Sequence, residues 1–177
     1  LPLFTPDNCV IDKLGRKGVP DASAVMVLDA ILDTRPAPRP LDRRDAVDSA
    51  GAGAKALLLN YPANPTGASY NKKELEAVAQ AVQKRDLIVI SDEVYDELTY
   101  DFEHTPLANL PGMRERVVYL NGFSKAYAMT GFRIGYACGP ADIIEGMTKI
   151  HQYTILCPSI TCQMAAMEAL KNGAKDV

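Results

Sequence analysis

Three short apolar runs constrain the fold of this chain more than any other feature of it. Ala56-Leu57-Leu58-Leu59-Asn60, Leu87-Ile88-Val89-Ile90-Ser91 and Val117-Val118-Tyr119-Leu120-Asn121 are rich in branched residues and almost free of polar alternation. A strand with one face in water alternates apolar and polar side chains. These runs therefore read as strands buried on both faces, as in a parallel sheet. Between the first two lies a helix, about Lys72 to Lys84. Asn71 can cap its first turn, and Glu74 stands three residues later like the far half of a capping box. Leu75, Val78, Ala79 and Val82 fall at i, i+3, i+4 and i+7, which gives the helix one apolar face for the sheet. Alternation of this kind predicts an α/β layer fold.

A fourth strand, Phe132-Arg133-Ile134-Gly135-Tyr136-Ala137, follows Asn121 too closely for a parallel crossover, which needs a dozen or more residues. It is expected to run antiparallel to its predecessor, making a mostly parallel sheet with one antiparallel strand. Two further helices are expected near Ala141–Gln152 and Ile160–Lys171, each starting close to a proline. Residues 1–40 are broken up by Pro2, Pro6, Pro20, Pro36, Pro38 and Pro40, and resist assignment. Val25-Met26-Val27-Leu28 within them fits a strand or part of a helix. Residues 41–177 read as one domain, without internal repeat or low-complexity linker.

Composition narrows the function classes. With 47% hydrophobic residues among 177, the chain can bury a real core. Its 19 basic and 22 acidic residues include no basic block, which argues against nucleic acid as a partner. No apolar run reaches membrane-spanning length and nothing at the start resembles a signal peptide, so a cytoplasmic location is expected. Cys9, Cys138, Cys157 and Cys162 lack CxxC spacing and metal-like His partners. They read as reduced thiols, and no metal site is expected. His104 and His151 stand isolated in the sequence.

Chemistry concentrates in three loops that leave the carboxyl ends of the predicted parallel strands, the edge where open α/β sheets bind ligands. In Asn60-Tyr61-Pro62-Ala63-Asn64-Pro65-Thr66-Gly67, two prolines and a glycine would present Asn64 rigidly as a hydrogen-bond donor. Ser91-Asp92-Glu93-Val94-Tyr95 puts an aspartate at a strand end. Asn121-Gly122-Phe123-Ser124-Lys125 puts a lysine there, with Arg133 eight residues further on. Such a lysine can form a Schiff base with an aldehyde, and a nearby arginine can hold a phosphate. Taken singly, the three loops also fit a plain Pro/Gly turn, a capping aspartate and a solvated surface lysine.

Taken together, NYPANPTG, SDEVYDE and NGFSKAYAMTGFRIGY resemble the fold-type I enzymes that use pyridoxal 5′-phosphate (PLP), specifically the class I/II aminotransferases related to aspartate aminotransferase. The resemblance runs from about Ile31 to Leu170 and is strongest between Lys55 and Tyr136. It implies the large domain of that fold, a three-layer αβα sandwich. It also implies PLP as cofactor, amino-acid and 2-oxo-acid substrates, and a homodimer. On this resemblance Lys125 holds the cofactor as an aldimine and later acts as general acid/base. Asp92 pairs with the pyridinium nitrogen. Tyr95 and Asn64 bond the ring's phenolate oxygen and lower the aldimine pKa, and Val94 packs one ring face. Arg133, expected in a buried strand where it needs a partner, takes the phosphate with help from Ser124.

The sequence departs from the family pattern in places. Gly122 stands where many relatives carry a serine that would add a phosphate hydroxyl. The family's N-terminal phosphate-cradling loop and its ring-stacking aromatic are not recognisable. The small C-terminal domain with its carboxylate-binding arginine is expected to begin after Val177, so the chain reads as incomplete. Lys149–Thr154 resembles the stretch near the dimer partner. A carbon–sulfur lyase or another carbanion enzyme shares this fold, and a non-catalytic PLP sensor or a truncated, inactive domain are further readings.

Overall fold

The computed structural model describes residues 25–26 and 55–177. The elements are β1 (Val25–Met26), β2 (Ala56–Asn60), α1 (Lys72–Lys84), β3 (Ile88–Asp92), β4 (Val117–Gly122), β5 (Gly135–Cys138), α2 (Ala141–Thr154) and α3 (Ile160–Asn172). They form one five-stranded sheet in the order β1-β5-β4-β3-β2. β2, β3 and β4 run parallel, while β5 is antiparallel to both β4 and β1. Of the ambiguous Val25–Leu28 segment, Val25 and Met26 are a strand. The boundary expected at residues 40/41 lies outside the described residues, as does Cys9. The three described cysteines, Cys138, Cys157 and Cys162, are free thiols.

Helix α1 forms where the periodicity places it. Asn71 accepts from the Glu74 amide (3.1 Å) and the Glu74 carboxylate accepts from the Asn71 amide (3.0 Å), so two otherwise orphaned donors are satisfied reciprocally. Its apolar face packs with Val89, Val117 and Tyr119, and Ala166 of α3 joins the same cluster. On the opposite face Val118 and Ala137 pack with Ile144 of α2. Helices thus cover both faces, and three layers result.

Two expectations about the strands need correction. Of the three apolar runs, only β4 is buried on both faces. Leu58 in β2 and Ile90 in β3 are 66% and 36% exposed. β2 is an edge of the described sheet, and the helix on that face, α2, seats on Val118 and Ala137 instead. The fourth strand also begins later than Phe132. Its ladder with β4 stops at the pair Gly122 and Gly135, and Thr130–Phe132 forms a 3₁₀ turn. Arg133 follows at φ 49 and ψ 51, a left-handed conformation that cannot continue a strand. Arg133 is therefore exposed, and the buried strand arginine expected from the sequence does not exist.

The register aligns the strand ends. Asn60 pairs with Asp92, and Asp92 with Leu120, so the loops after β2, β3 and β4 leave from one rim. Within the described residues no helix is long and apolar enough to cross a membrane.

Candidate active site

The loop after β2 closes on itself. The Gly67 amide donates to the Ala63 carbonyl (2.7 Å) and the Ala63 amide to the Ala68 carbonyl (2.8 Å), a turn that holds Gly67 at φ +68. The space around Gly67 is open, so the left-handed backbone itself is what favours glycine there. Asn60 braces the loop. Its side-chain oxygen accepts from the Asn64 amide (3.3 Å), and its NH₂ lies 3.4 Å from the Asp92 carbonyl. Asn64 then donates to the Tyr95 hydroxyl at 3.1 Å, joining the first loop to the second.

The second loop turns immediately after β3, with the Val94 amide 3.4 Å from Asp92 Oδ1. Burial raises the Asp92 carboxyl above its ordinary range, while the Val94 amide and the Asn60 side chain pull it partly back. An acid in that condition favours a cationic partner, which would offset its lost hydration.

The third loop leaves β4 through Phe123, which is 2% exposed and contacts the rings of Tyr127 and Tyr136. The Phe123 amide donates to the Ile134 carbonyl (3.3 Å) and the Met129 amide to the Phe123 carbonyl (3.2 Å). These anchors pinch a turn whose exposed corner is Lys125. Its Nζ stands 5.3 Å from the centre of the Tyr95 ring. Arg133 Nη1 donates to the Thr130 carbonyl at 2.9 Å. At Gly122, an added Cβ would stand 3.3 Å from the Ile134 carbonyl oxygen. The tight β4–β5 approach thus gives a local reason for glycine at this position.

One cleft of about 380 Å³ gathers these groups. Asn64, Asp92, Val94, Tyr95, Ser124, Lys125 and Arg133 all line it. All seven residues singled out in the sequence therefore face one space, within the size range of small-molecule sites.

The same region contains a group that reading the sequence missed. Glu93 is wholly buried. Its Oε1 accepts from the Tyr61 hydroxyl (2.8 Å), the Ser91 hydroxyl (2.6 Å) and the Leu107 amide (3.2 Å). Its Oε2 is 2.7 Å from His104 Nε2. His104, isolated in sequence, is thus paired in space, and its ring stacks on Tyr61 with centroids 5.2 Å apart. Strand parity was the available signal. Counting from core-facing Val89, the period of two puts Ser91 and Glu93 on the core side, where a carboxylate must be partnered. Among the described residues no cluster of three or more His, Cys, Asp or Glu side chains could hold a metal ion.

Loops that bring an amine, an acid and a guanidinium to one cleft at the carboxyl rim of parallel strands occupy the place where open α/β sheets bind ligands. The chain belongs to the aminotransferase class I and II family, whose model matches residues 42–176. The Bacillus subtilis protein named "Putative aminotransferase YugH" is 53% identical over 123 residues, covering 70% of this chain and 32% of that protein. Aspartate aminotransferase from Pyrococcus abyssi is 49% identical over 119 residues, 67% of this chain and 31% of that protein. The aromatic aminotransferase structure from Pyrococcus horikoshii superposes with a TM-score of 0.72 at 46% identity, over 75% of this chain and 36% of that one. The chain thus spans about a third of the length of these relatives.

Family membership implies PLP as cofactor. The donor set fits it: a primary amine for the aldehyde, a half-buried acid for the ring nitrogen, and a guanidinium with a hydroxyl for the phosphate.

Proposed function

We propose that this chain supplies the PLP-binding part of an aminotransferase that moves an amino group between an amino acid and a 2-oxo acid. The observation that carries this reading is the convergence of Lys125, Asp92 and Arg133 on one cleft. Residues 41–177 then constitute part of the large domain. When bound, PLP supplies an electron sink for charge developing at the substrate α-carbon.

The chain's own residues take the remaining roles. Lys125 would hold the cofactor through its aldehyde, and its amine when free would carry the proton away from the substrate α-carbon as general acid/base. Asp92 holds a proton on the ring nitrogen, and its raised carboxyl pKa supports that pairing, because a cation restores what burial removed. Asn64 and Tyr95 would donate to the ring's phenolate oxygen, a reading supported by the hydrogen bond that already joins them at the cleft. Val94 packs a ring face. Arg133, held by Thr130, and Ser124 take the phosphate.

The homodimer reading is supported by exposed apolar residues around the α2–α3 junction: Ile150, Tyr153, Leu156 and Ile160 are 57–87% exposed. Sedimentation velocity tests it, and a monomer at micromolar concentration would count against it.

Mixing the protein with PLP and recording its absorption spectrum tests the site. A visible band is expected that Lys125→Ala abolishes. Identical spectra from the two proteins would remove Lys125 from its role as the aldehyde-binding amine.

A further inference from the structure

Among the described residues, Glu93 is the buried carboxylate beside the cleft that does not face it. An ionised carboxylate only accepts hydrogen bonds, and one with no solvent exposure persists only where donors surround it. Here the donors come from three separate stretches of chain: Tyr61 after β2, Ser91 within β3, and His104 and Leu107 in the connection to β4. The carboxylate therefore fastens the underside of the rim, on the face of the sheet opposite Asp92.

Its reach into the site runs through Tyr61. That side chain is fully buried, edge-on to Tyr70 and stacked on His104, and its hydroxyl also lies 3.2 Å from the Thr105 carbonyl. Tyr61 is the first residue of the loop that carries Asn64, and its amide donates to the Asp92 carbonyl at 3.1 Å. Asn64 itself is exposed, with its side-chain amide on the Tyr95 hydroxyl. An exposed amide on a surface loop holds its position only as well as the loop's buried anchor does.

We propose that Glu93, braced by His104, is a positioning residue of the site: through the Tyr61 hydroxyl its carboxylate sets where Asn64 stands relative to Asp92 and Tyr95. This rests on the proposed PLP site. Glu93 touches neither cleft nor ligand; it acts through the loop. If Asn64 and Tyr95 donate to the bound ring's phenolate oxygen, loosening Asn64 weakens the ionised form. The pH midpoint of the visible band then moves upward.

Tyr61→Phe is the direct test, because it keeps the ring on His104 and removes only the hydroxyl. Two measurements are read: the pH midpoint of the PLP band, and amide hydrogen exchange of the free chain. The midpoint should rise by about half a pH unit or more. Exchange at residues 61–68 should quicken about tenfold, with β4 unchanged. If Tyr61→Phe loses the fold, Glu93→Gln carries the test. It turns charge-assisted bonds into neutral ones, and a smaller upward displacement is expected. An unmoved midpoint overturns the proposal, whether or not the loop loosens or the melting temperature falls. A wild-type chain without any band sinks the cofactor reading instead. The exchange result then decides by itself, and unchanged protection at 61–68 overturns the positioning role.

Discussion

Replacing Glu93 with leucine, close in size and fully apolar, should cost this chain much of its stability. The substitution removes the acceptor of four donors. Tyr61 keeps a second oxygen, the Thr105 carbonyl, so it is not orphaned. Ser91, the Leu107 amide and His104 lose the acceptor they share, and each buried donor left without one costs about 1–3 kcal/mol. Against this, the leucine side chain returns about 2 kcal/mol through its burial. The carboxylate's desolvation cost also disappears. Three such losses, less these two offsets, leave a net cost on the order of a few kcal/mol. A domain of this size has only about 5–15 kcal/mol to lose. Urea unfolding followed by circular dichroism measures the change. A midpoint within error of the wild type would refute the reasoning, since it would mean that the buried network contributes no net stability.

The neighbouring carboxylate should behave in the opposite way. Burial holds the Asp92 carboxyl above its ordinary value of 3.8, so its ionised form opposes folding. That penalty is absent below the unfolded value and grows as pH rises through the higher folded-state value. Asp92→Asn should therefore melt above the cofactor-free wild type at pH 7, with the advantage vanishing near pH 3.8; a variant less stable at neutral pH contradicts the assignment. At the start of α1, Asn71→Ala removes one arm of an exposed capping box and should cost about 1 kcal/mol. A fall of about 2–4 °C in melting temperature reports that loss, and an unchanged value would mean the cap is idle.

How much of this was legible in the sequence depended on the range of the forces involved. Helix α1 was readable to the residue because periodicity and capping are local, and its structure contains the bonds those residues can make. The antiparallel turn after β4 followed from chain length alone. The face of a strand that stays bare did not, because Leu58 and Ile90 are as apolar as the residues of buried β4. What separates them is where α2 docks, a property of the assembled sheet. Arg133 misled for a similar reason. Its neighbours have strand propensity, yet the β4–β5 ladder ends at two glycines and the chain turns left-handed just before it. Propensity describes residues, whereas the ladder's end is fixed by its partner.

Parity at the end of β3 explains how one dipeptide serves two ends. Asp92 and Glu93 are adjacent and alike in chemistry, but successive side chains of an extended backbone point to opposite faces. One acid therefore looks into the cleft, half-buried, while the other is driven into the core and must be fully satisfied there. The motif was readable in sequence as a site because of Asp92. Parity marks its second acid as core-facing, but its partners could not be read, because His104, eleven residues on, and Tyr61, thirty-two back, come to it only in the fold. A slip of one residue in the β3 register would exchange the two environments, burying the acid that lines the cleft and exposing the one that the core now surrounds with donors. The ladder that pairs Asn60 with Asp92 and Asp92 with Leu120 is thus what gives the two acids their different surroundings at this rim.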